Sequence, residues 1–311
     1  MEFKHIPIML KECIDNLNIK PDGVYVDATL GGAGHSSEIV KHLSEKGTLI
    51  GFDKDAEAIE VSEKRLSFAK CNCIFINQDF KNFKQVLEEN NISGVDGILI
   101  DLGVSSYQID NVERGFSYNN NAPLDMRMNQ SQKLSAKTVV NTYTYEKLVK
   151  ILFEYGEENF AKSIAKHIVE YREKQPIETT GELVGIISKS VPAKVLHKGG
   201  SPAKKTFQAI RIEVNGELTG LEDVLYDMID SLSPTGRLCV ISFHSLEDRI
   251  VKNVFKESST GCICPKSFPI CVCGHKPSVK LLYNKPLLPS EEEQKINTRS
   301  QSSKLRVVEK I

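Results

Sequence analysis

Between Gly23 and Leu102 short apolar runs alternate with longer amphipathic stretches. Val24 to Ala28, Thr48 to Asp53, Cys73 to Asn77 and Gly97 to Leu102 have the length and content of buried strands. Ser36 to Ser44, Ala56 to Phe68 and Phe83 to Asn90 carry the mixed faces of surface helices. Strand and helix in strict alternation predict a parallel sheet, because parallel neighbours need a crossover rather than a tight turn. After Ser106 the pattern breaks. A polar segment holding Gly115, Asn119, Asn120, Asn121 and Pro123 leads into a helical region from about Ser135 to Ser190. There Leu148, Ile151, Leu152 and Tyr155, then Phe160, Ile164, Ile168 and Tyr171, recur at helical spacing with no strand pattern among them. The α/β pattern resumes with a helix over Leu218 to Leu232, a turn at Ser233-Pro234-Thr235-Gly236 and a strand over Arg237 to Phe243. Val279 to Leu282 and Leu305 to Glu309 are candidate edge strands.

The expected fold is therefore α/β, a Rossmann-like, mostly parallel sheet interrupted by an inserted all-helical domain. The expected bounds are 1–110 and 209–311 for the two parts of the core and 111–208 for the insert. A chain of 311 residues with 40% hydrophobic content is large enough to bury such a core. Its 40 basic residues against 41 acidic ones leave a formal charge of −1, so any contact with nucleic acid has to be local. No run of about 18 apolar residues is present, which predicts a soluble chain with no membrane span. Met1 to Leu10 carries Glu2, Lys4 and His5 where a secretory signal needs an apolar core. With eight cysteines and no such signal, a reducing cytoplasm is the expected location.

The first strand ends in Asp27-Ala28-Thr29-Leu30-Gly31-Gly32-Ala33-Gly34-His35-Ser36, a glycine-rich turn opening a helix. Such a turn lets a ligand approach the backbone, and the N–H groups at the helix start favour a negative group. The second strand ends in Asp53, where a ribose-binding acid is expected, so the pair indicates an adenosine ligand. A nicotinamide dinucleotide would call for G-x-G-x-x-G, but the frame here gives Gly32, Gly34 and then Ser37. S-adenosylmethionine has no pyrophosphate and fits better, with Gln78-Asp79-Phe80 suited to gripping adenine. Asp101 and the hydroxyls of Ser105 and Ser106 emerge at the carboxyl edge of the sheet, where ligands of open α/β sheets bind. The plainer alternative for Asp101 is a helix cap. His35 reads as a helix-start residue before it reads as a catalytic base.

These segments resemble the RsmH (MraW) methyltransferases, which methylate N4 of a cytidine in the decoding region of small-subunit (16S) ribosomal RNA. The likeness runs through His5 to Leu10, Asp27 to Ser36, Asp101 to Gln108, Arg114 to Ser117, Pro123 to Met128, Thr206 to Ile212 and Ile241 to Arg249. It implies a class I methyltransferase core interrupted by a helical domain, with S-adenosylmethionine as cofactor. It further implies that Ala33, Gly34 and His35 hold the methionine end, that Asp53 contacts the ribose, and that Phe80, Asp101 and Gln108 complete the pocket. The small ribosomal subunit becomes the expected partner, and a homodimer stays open. Many amino-group methyltransferases carry an acid or amide, two prolines and an aromatic after the fourth strand. Asp101-Leu102-Gly103-Val104 departs from that pattern, so the catalytic residue is unassigned.

Asp125 and His244, both in matched polar segments, are the candidates to accept the proton shed by the amine. Asp125 reads equally well as a turn-stabilising residue. The basic stretch Lys194 to Lys205 is the candidate for phosphate contact. Cys262, Cys264, Cys271 and Cys273 form two C-x-C pairs followed by His275. The zinc knuckle usually spaces its thiols C-x2-C, so reduced thiols without metal are the expectation and a structural zinc site the alternative. Two competing functions stay in view: a zinc-containing RNA-binding or ribosome assembly factor without catalysis, and a nicotinamide-dependent oxidoreductase.

Overall fold

The computed structural model describes residues 7–196, 201–262, 264–265, 268, 270, 272–274 and 276–311. They divide into two compact units, Met1–Gly103 with Thr219–Ile311, and Val104–Leu218.

In the first unit α1 (Leu10–Leu17) precedes β1 (Val24–Asp27), α2 (Gly34–His42), β2 (Thr48–Phe52), α3 (Ala56–Arg65), β3 (Asn72–Ile76), α4 (Phe83–Glu89) and β4 (Val95–Asp101). The second unit holds α5 (Ser106–Asp110), α6 (Ala136–Thr142), α7 (Tyr145–Glu154), α8 (Ala161–Arg172), α9 (Thr180–Ser190), α10 (Ala193–Leu196) and α11 (Ala203–Asn215). The first unit then resumes with α12 (Leu221–Ser231), β5 (Leu232–Ser242), α13 (Ser245–Ser258), β6 (Val279–Leu281), α14 (Glu291–Ile296) and β7 (Lys304–Lys310).

The described strands form one seven-stranded sheet in the order β3-β2-β1-β4-β5-β7-β6. The pairs from β3 to β5 are parallel, and β7 runs antiparallel to both β5 and β6. A doubly wound sheet with one reversed strand between β5 and β6 is the class I methyltransferase arrangement, as expected. The order turns between β1 and β4, the switch point at which open α/β sheets form a ligand crevice. Parallel strands covered on both faces are apolar throughout, and Ile98, Leu99 and Ile100 are fully buried. On one face Tyr25, Leu49, Leu99, Cys239 and Ile241 join Ile39 and Val40 of α2 and Cys13 and Leu17 of α1 in one cluster.

One expectation changes in detail. Ser233 to Gly236 reads as a turn ahead of the strand, yet β5 begins at Leu232. Leu232 pairs with Val95 and Arg237 with Gly97, so four residues stand opposite Asp96 alone. The turn is a bulge inside the strand, with Thr235 at φ 68°.

The second unit packs its own core, in which Leu148, Ile151 and Leu152 of α7, Ile164 and Ile168 of α8, and Leu183 and Ile187 of α9 meet Phe207 and Ile210 of α11. The stretch 111–208 lies inside this unit. Its helices are capped locally: Thr179 and Glu182 form a capping box on α9, and Ser135 and Thr144 cap α6 and α7. No helix among the described residues is long and apolar enough to cross a membrane.

Candidate functional site

The carboxyl edge of the sheet gathers the polar residues of the first unit. Asp27, at the end of β1, is buried and accepts from Ser36 Oγ at 2.6 Å and from the Thr29 N–H at 3.2 Å. It thereby ties the strand end to the first turn of α2 and fixes the chain between them. Two residues of that turn are left-handed, Gly31 at φ 51° and Ala33 at φ 53°. Glycine adopts this conformation freely, whereas an alanine there is strained by about 1–2 kcal/mol. Ala33 is fully buried and caps α2 with no side-chain acceptor. The first-turn N–H groups of Gly34, His35 and Ser36 are consequently directed outward from the helix start with no capping oxygen.

Gly34 and His35 also serve the amino-terminal segment. A Cβ on Gly34 would stand 2.4 Å from Pro7 Cγ, so only glycine lets the segment lie on the helix start. The His35 ring is buried with Nε2 2.9 Å from the Ile8 carbonyl, and burial lowers its pKa to about 4. A neutral ring donating to that carbonyl is a fastener rather than a base. What the expected methionine-end residues present to a ligand is thus backbone.

Asp53 follows β2 and accepts from the Gly31 N–H with one oxygen and from the Asp55 N–H with the other, each at 2.8 Å. These bonds hold the carboxylate against the glycine turn and leave its remaining lone pairs open to a ligand's hydroxyls. Burial pushes its pKa up to about 6 against the opposing pull of the two N–H groups. Asn77, beyond β3, donates to the Asp53 carbonyl at 3.0 Å. Phe80 follows, half-buried, in a short 3-10 turn capped by Asp79.

Asp101 closes β4. Its N–H donates to Thr29 Oγ1 at 2.6 Å, which sets the strand end beside the glycine turn, and its Oδ1 is buried with no hydrogen-bond partner among the described residues. Burial, then the charges of Asp27 and Glu247, raise its pKa to about 8. Asp101 is therefore no helix cap: Ser105 and Gln108 cap α5 between themselves through a reciprocal box. Gln108 is buried and belongs to the second unit.

The adjacent strand end carries the other orphan of the first unit. His244 follows β5 and caps α13, with Nδ1 accepting from the Glu247 N–H at 3.4 Å. Its Nε2 lies 3.1 Å from Glu247 Oε1 but out of line for a hydrogen bond, so the atom is buried without one. Glu247 itself is buried, and its Oε2 receives the Phe243 N–H at 2.8 Å. Asp125, in the second unit, takes Arg127 in a fork, Nε to Oδ1 at 2.8 Å and Nη2 to Oδ2 at 2.7 Å. Burial works against ionisation there, but the hydrogen bonds and charge of Arg127 prevail and hold the carboxyl below its ordinary range. That geometry is the turn-stabilising role.

Sequence reasoning did not single out Asp27, Thr29 or Glu247. Both acids lie inside segments that were read for other residues, and their burial was the missing signal. Of the basic stretch, Lys194 and Lys204 are exposed and Lys205 donates to the Glu157 carbonyl at 2.7 Å; 197–200 lie outside the described residues.

The edge thus combines a close-approach turn with uncapped N–H groups, an acid held beside it, and an Asp101 Oδ1 that no described residue satisfies. A ligand bearing a carboxylate, a ribose and a positive charge satisfies all three, and S-adenosylmethionine is such a ligand.

Comparison with known proteins gives the same answer. A protein called ribosomal RNA small subunit methyltransferase H from Clostridioides difficile (strain 630) is 56% identical over 311 residues, covering 100% of both chains. Proteins with that name from Clostridium botulinum (strain Kyoto / Type A2) and Finegoldia magna are 58% and 54% identical, again covering 100% of both chains. The model of the MraW methylase family matches residues 2–311, and the chain belongs to that family.

Proposed function

We propose that the chain transfers a methyl group from S-adenosylmethionine to the N4 amine of a cytidine in the decoding region of small-subunit (16S) ribosomal RNA, working in the cytoplasm on the small ribosomal subunit. The observation that carries the cofactor site is the partnerless Asp101 Oδ1 beside the left-handed turn. The base and the RNA rest on family membership.

When bound, the cofactor supplies a methyl group already activated by its sulfonium charge, so the protein's share is alignment, charge balance and exclusion of water. In this reading the N–H groups of Gly34, His35 and Ser36 receive the carboxylate of the methionine end. Asp53 takes the ribose hydroxyls, Phe80 covers the adenine, and ionised Asp101 balances the positive charge. Gln108 stands as a cofactor-binding residue on the resemblance alone. The amine sheds a proton as its new bond forms. His244 is the remaining candidate acceptor, at a strand end adjoining that of Asp101; with Nδ1 taking the Glu247 N–H its neutral ring carries the proton on Nε2, so it accepts the amine's proton only at Nδ1, by giving up that capping bond. Asp125 is already committed to Arg127. The target base has to leave its stack to reach the methyl group, and exposed Lys194 and Lys204 are suited to holding the flanking phosphates.

The test of the acceptor is single-turnover transfer with H244A and D125A. The assignment requires the His244 variant to lose about 10²-fold or more in the chemical step with its cofactor affinity unchanged. Wild-type single-turnover rates in both variants would remove both residues from the chemistry.

A further inference from the structure

The segment joining α13 to β6 is held at its base by the Ser278 N–H donating to the Ser258 carbonyl at 2.9 Å. Beyond that base, none of the described residues from Gly261 to Ser278 is buried. Phe268, Ile270 and Val272 are exposed apolar residues, so hydrophobic burial does not order this segment. Among its described residues the concentrated chemistry is sulfur. The Sγ atoms of Cys262, Cys264 and Cys273 all lie within 4.8 Å of one another. Cys262 and Cys273 are 3.8 Å apart, nearly twice the roughly 2.05 Å of a disulfide. A zinc ion bound by thiolates at about 2.3 Å in a tetrahedron puts neighbouring sulfurs about 3.8 Å apart, the edge being 1.63 times the bond. The Val272 N–H points at Cys264 Sγ at 3.4 Å, a contact that stabilises a thiolate over a thiol.

We propose that Cys262, Cys264 and Cys273 bind a structural zinc ion that staples this segment. Each thiol gives its proton to solvent as its sulfur lone pair goes to the metal. Cys271 and His275 lie outside the described residues, and the proposal rests on the three thiols alone. The knuckle spacing is one route to a thiolate site; Cys262 and Cys264 meeting Cys273 from the other end of the segment reach the same edge length by another. The site is also remote from the chemistry. α13 starts at the carboxyl end of β5, and Val279 opens β6 opposite Lys310, whose neighbour Glu309 pairs with Arg237 near the start of β5. The base of the segment, where Ser278 meets Ser258, therefore lies at the amino edge of the sheet, opposite the cofactor turn, and the proposed metal is structural.

The test uses the full chain made without a histidine tag, purified under a thiol reductant and desalted after exposure to zinc. Elemental analysis is expected to give one zinc per chain, falling below about a tenth of that in C262S and C273S and staying at one in C73S. Cobalt substitution is expected to give thiolate-to-metal charge-transfer bands and the strong visible bands of a tetrahedral ion. Cofactor affinity is expected to stay within about twofold when the metal is removed, which separates this site from the proposed methyl transfer. A wild-type chain that retains no stoichiometric zinc, or zinc that survives both serine variants, would overturn the proposal.

Discussion

The helical unit and the ends of β1 and β4 treat their charged groups in opposite ways. In the helical unit Asp125 is forked by Arg127, Arg211 bridges Glu217 at 2.8 Å, and Arg114 donates to the carbonyls of Arg127 and Met128. At the carboxyl edge of the sheet Asp27 is buried and Asp101 half-buried, with pKa values raised to about 6 and about 8, one carboxylate oxygen is orphaned, and an alanine sits in the left-handed region. Folding alone gains nothing from that arrangement. Buried polar atoms without partners cost about 1–3 kcal/mol each, so their concentration at one edge marks where a ligand completes the structure. Satisfied charge marks architecture, and unsatisfied charge marks the site.

The largest effect expected from breaking this contrast is on cofactor binding. D101N removes the charge proposed to face the cation and should weaken S-adenosylmethionine by about 2–4 kcal/mol, or roughly 30-fold to 1000-fold, in calorimetric titration. The same change should stabilise the ligand-free protein. A carboxyl whose folded pKa is raised keeps a proton that the unfolded chain has lost, so stability falls as pH rises from about 3.9 toward that pKa. Asparagine removes this slope, and thermal melts at pH 5 and pH 8 should differ less in D101N than in the wild type.

Next in size is G34A. Its Cβ would meet Pro7 at 2.4 Å, and the displaced segment should cost about 1–3 kcal/mol in denaturant unfolding of the first unit. A wild-type stability would mean that Pro7 yields without consequence. The pH dependence of binding comes third. Burial and the charges of Asp27 and Glu247 put Asp101 at about 8, so at neutral pH the cation's arrival has to expel a proton. Affinity should rise with pH and level off above about 8, with proton release seen in buffers of different ionisation enthalpy. A flat profile would detach Asp101 from the cation. The smallest effect is D125N, which loses a half-buried fork worth about 1 kcal/mol of the helical unit's stability and leaves cofactor affinity unchanged.

Much of this was legible in the chain because it is written locally. The four parallel strands leading into the insert and the turn from Asp27 to Ser36 follow from periodicity and glycine placement, and Asp53 from its position after β2. What was not legible depends on partners far away in sequence. His35 is engaged by Ile8, Asp101 is oriented by Thr29 72 positions earlier, and Ser233 to Gly236 became a bulge because Leu232 and Arg237 found places beside Val95 and Gly97. Burial decides the roles of Asp27 and Glu247, and no local pattern announces that a carboxylate will be dry. The fork on Asp125 was the exception, since Arg127 stands two residues away and the turn-stabilising reading was already available from sequence.

The most direct measurement is transfer of labelled methyl from S-adenosylmethionine to small ribosomal subunits taken from a strain lacking this protein, with the product nucleoside identified and D53A and D101N run alongside. The account predicts label in N4-methylated cytidine with the wild type and its loss in both variants at cofactor concentrations that saturate the wild type. Label in another nucleoside, or undiminished transfer by D101N, would contradict it.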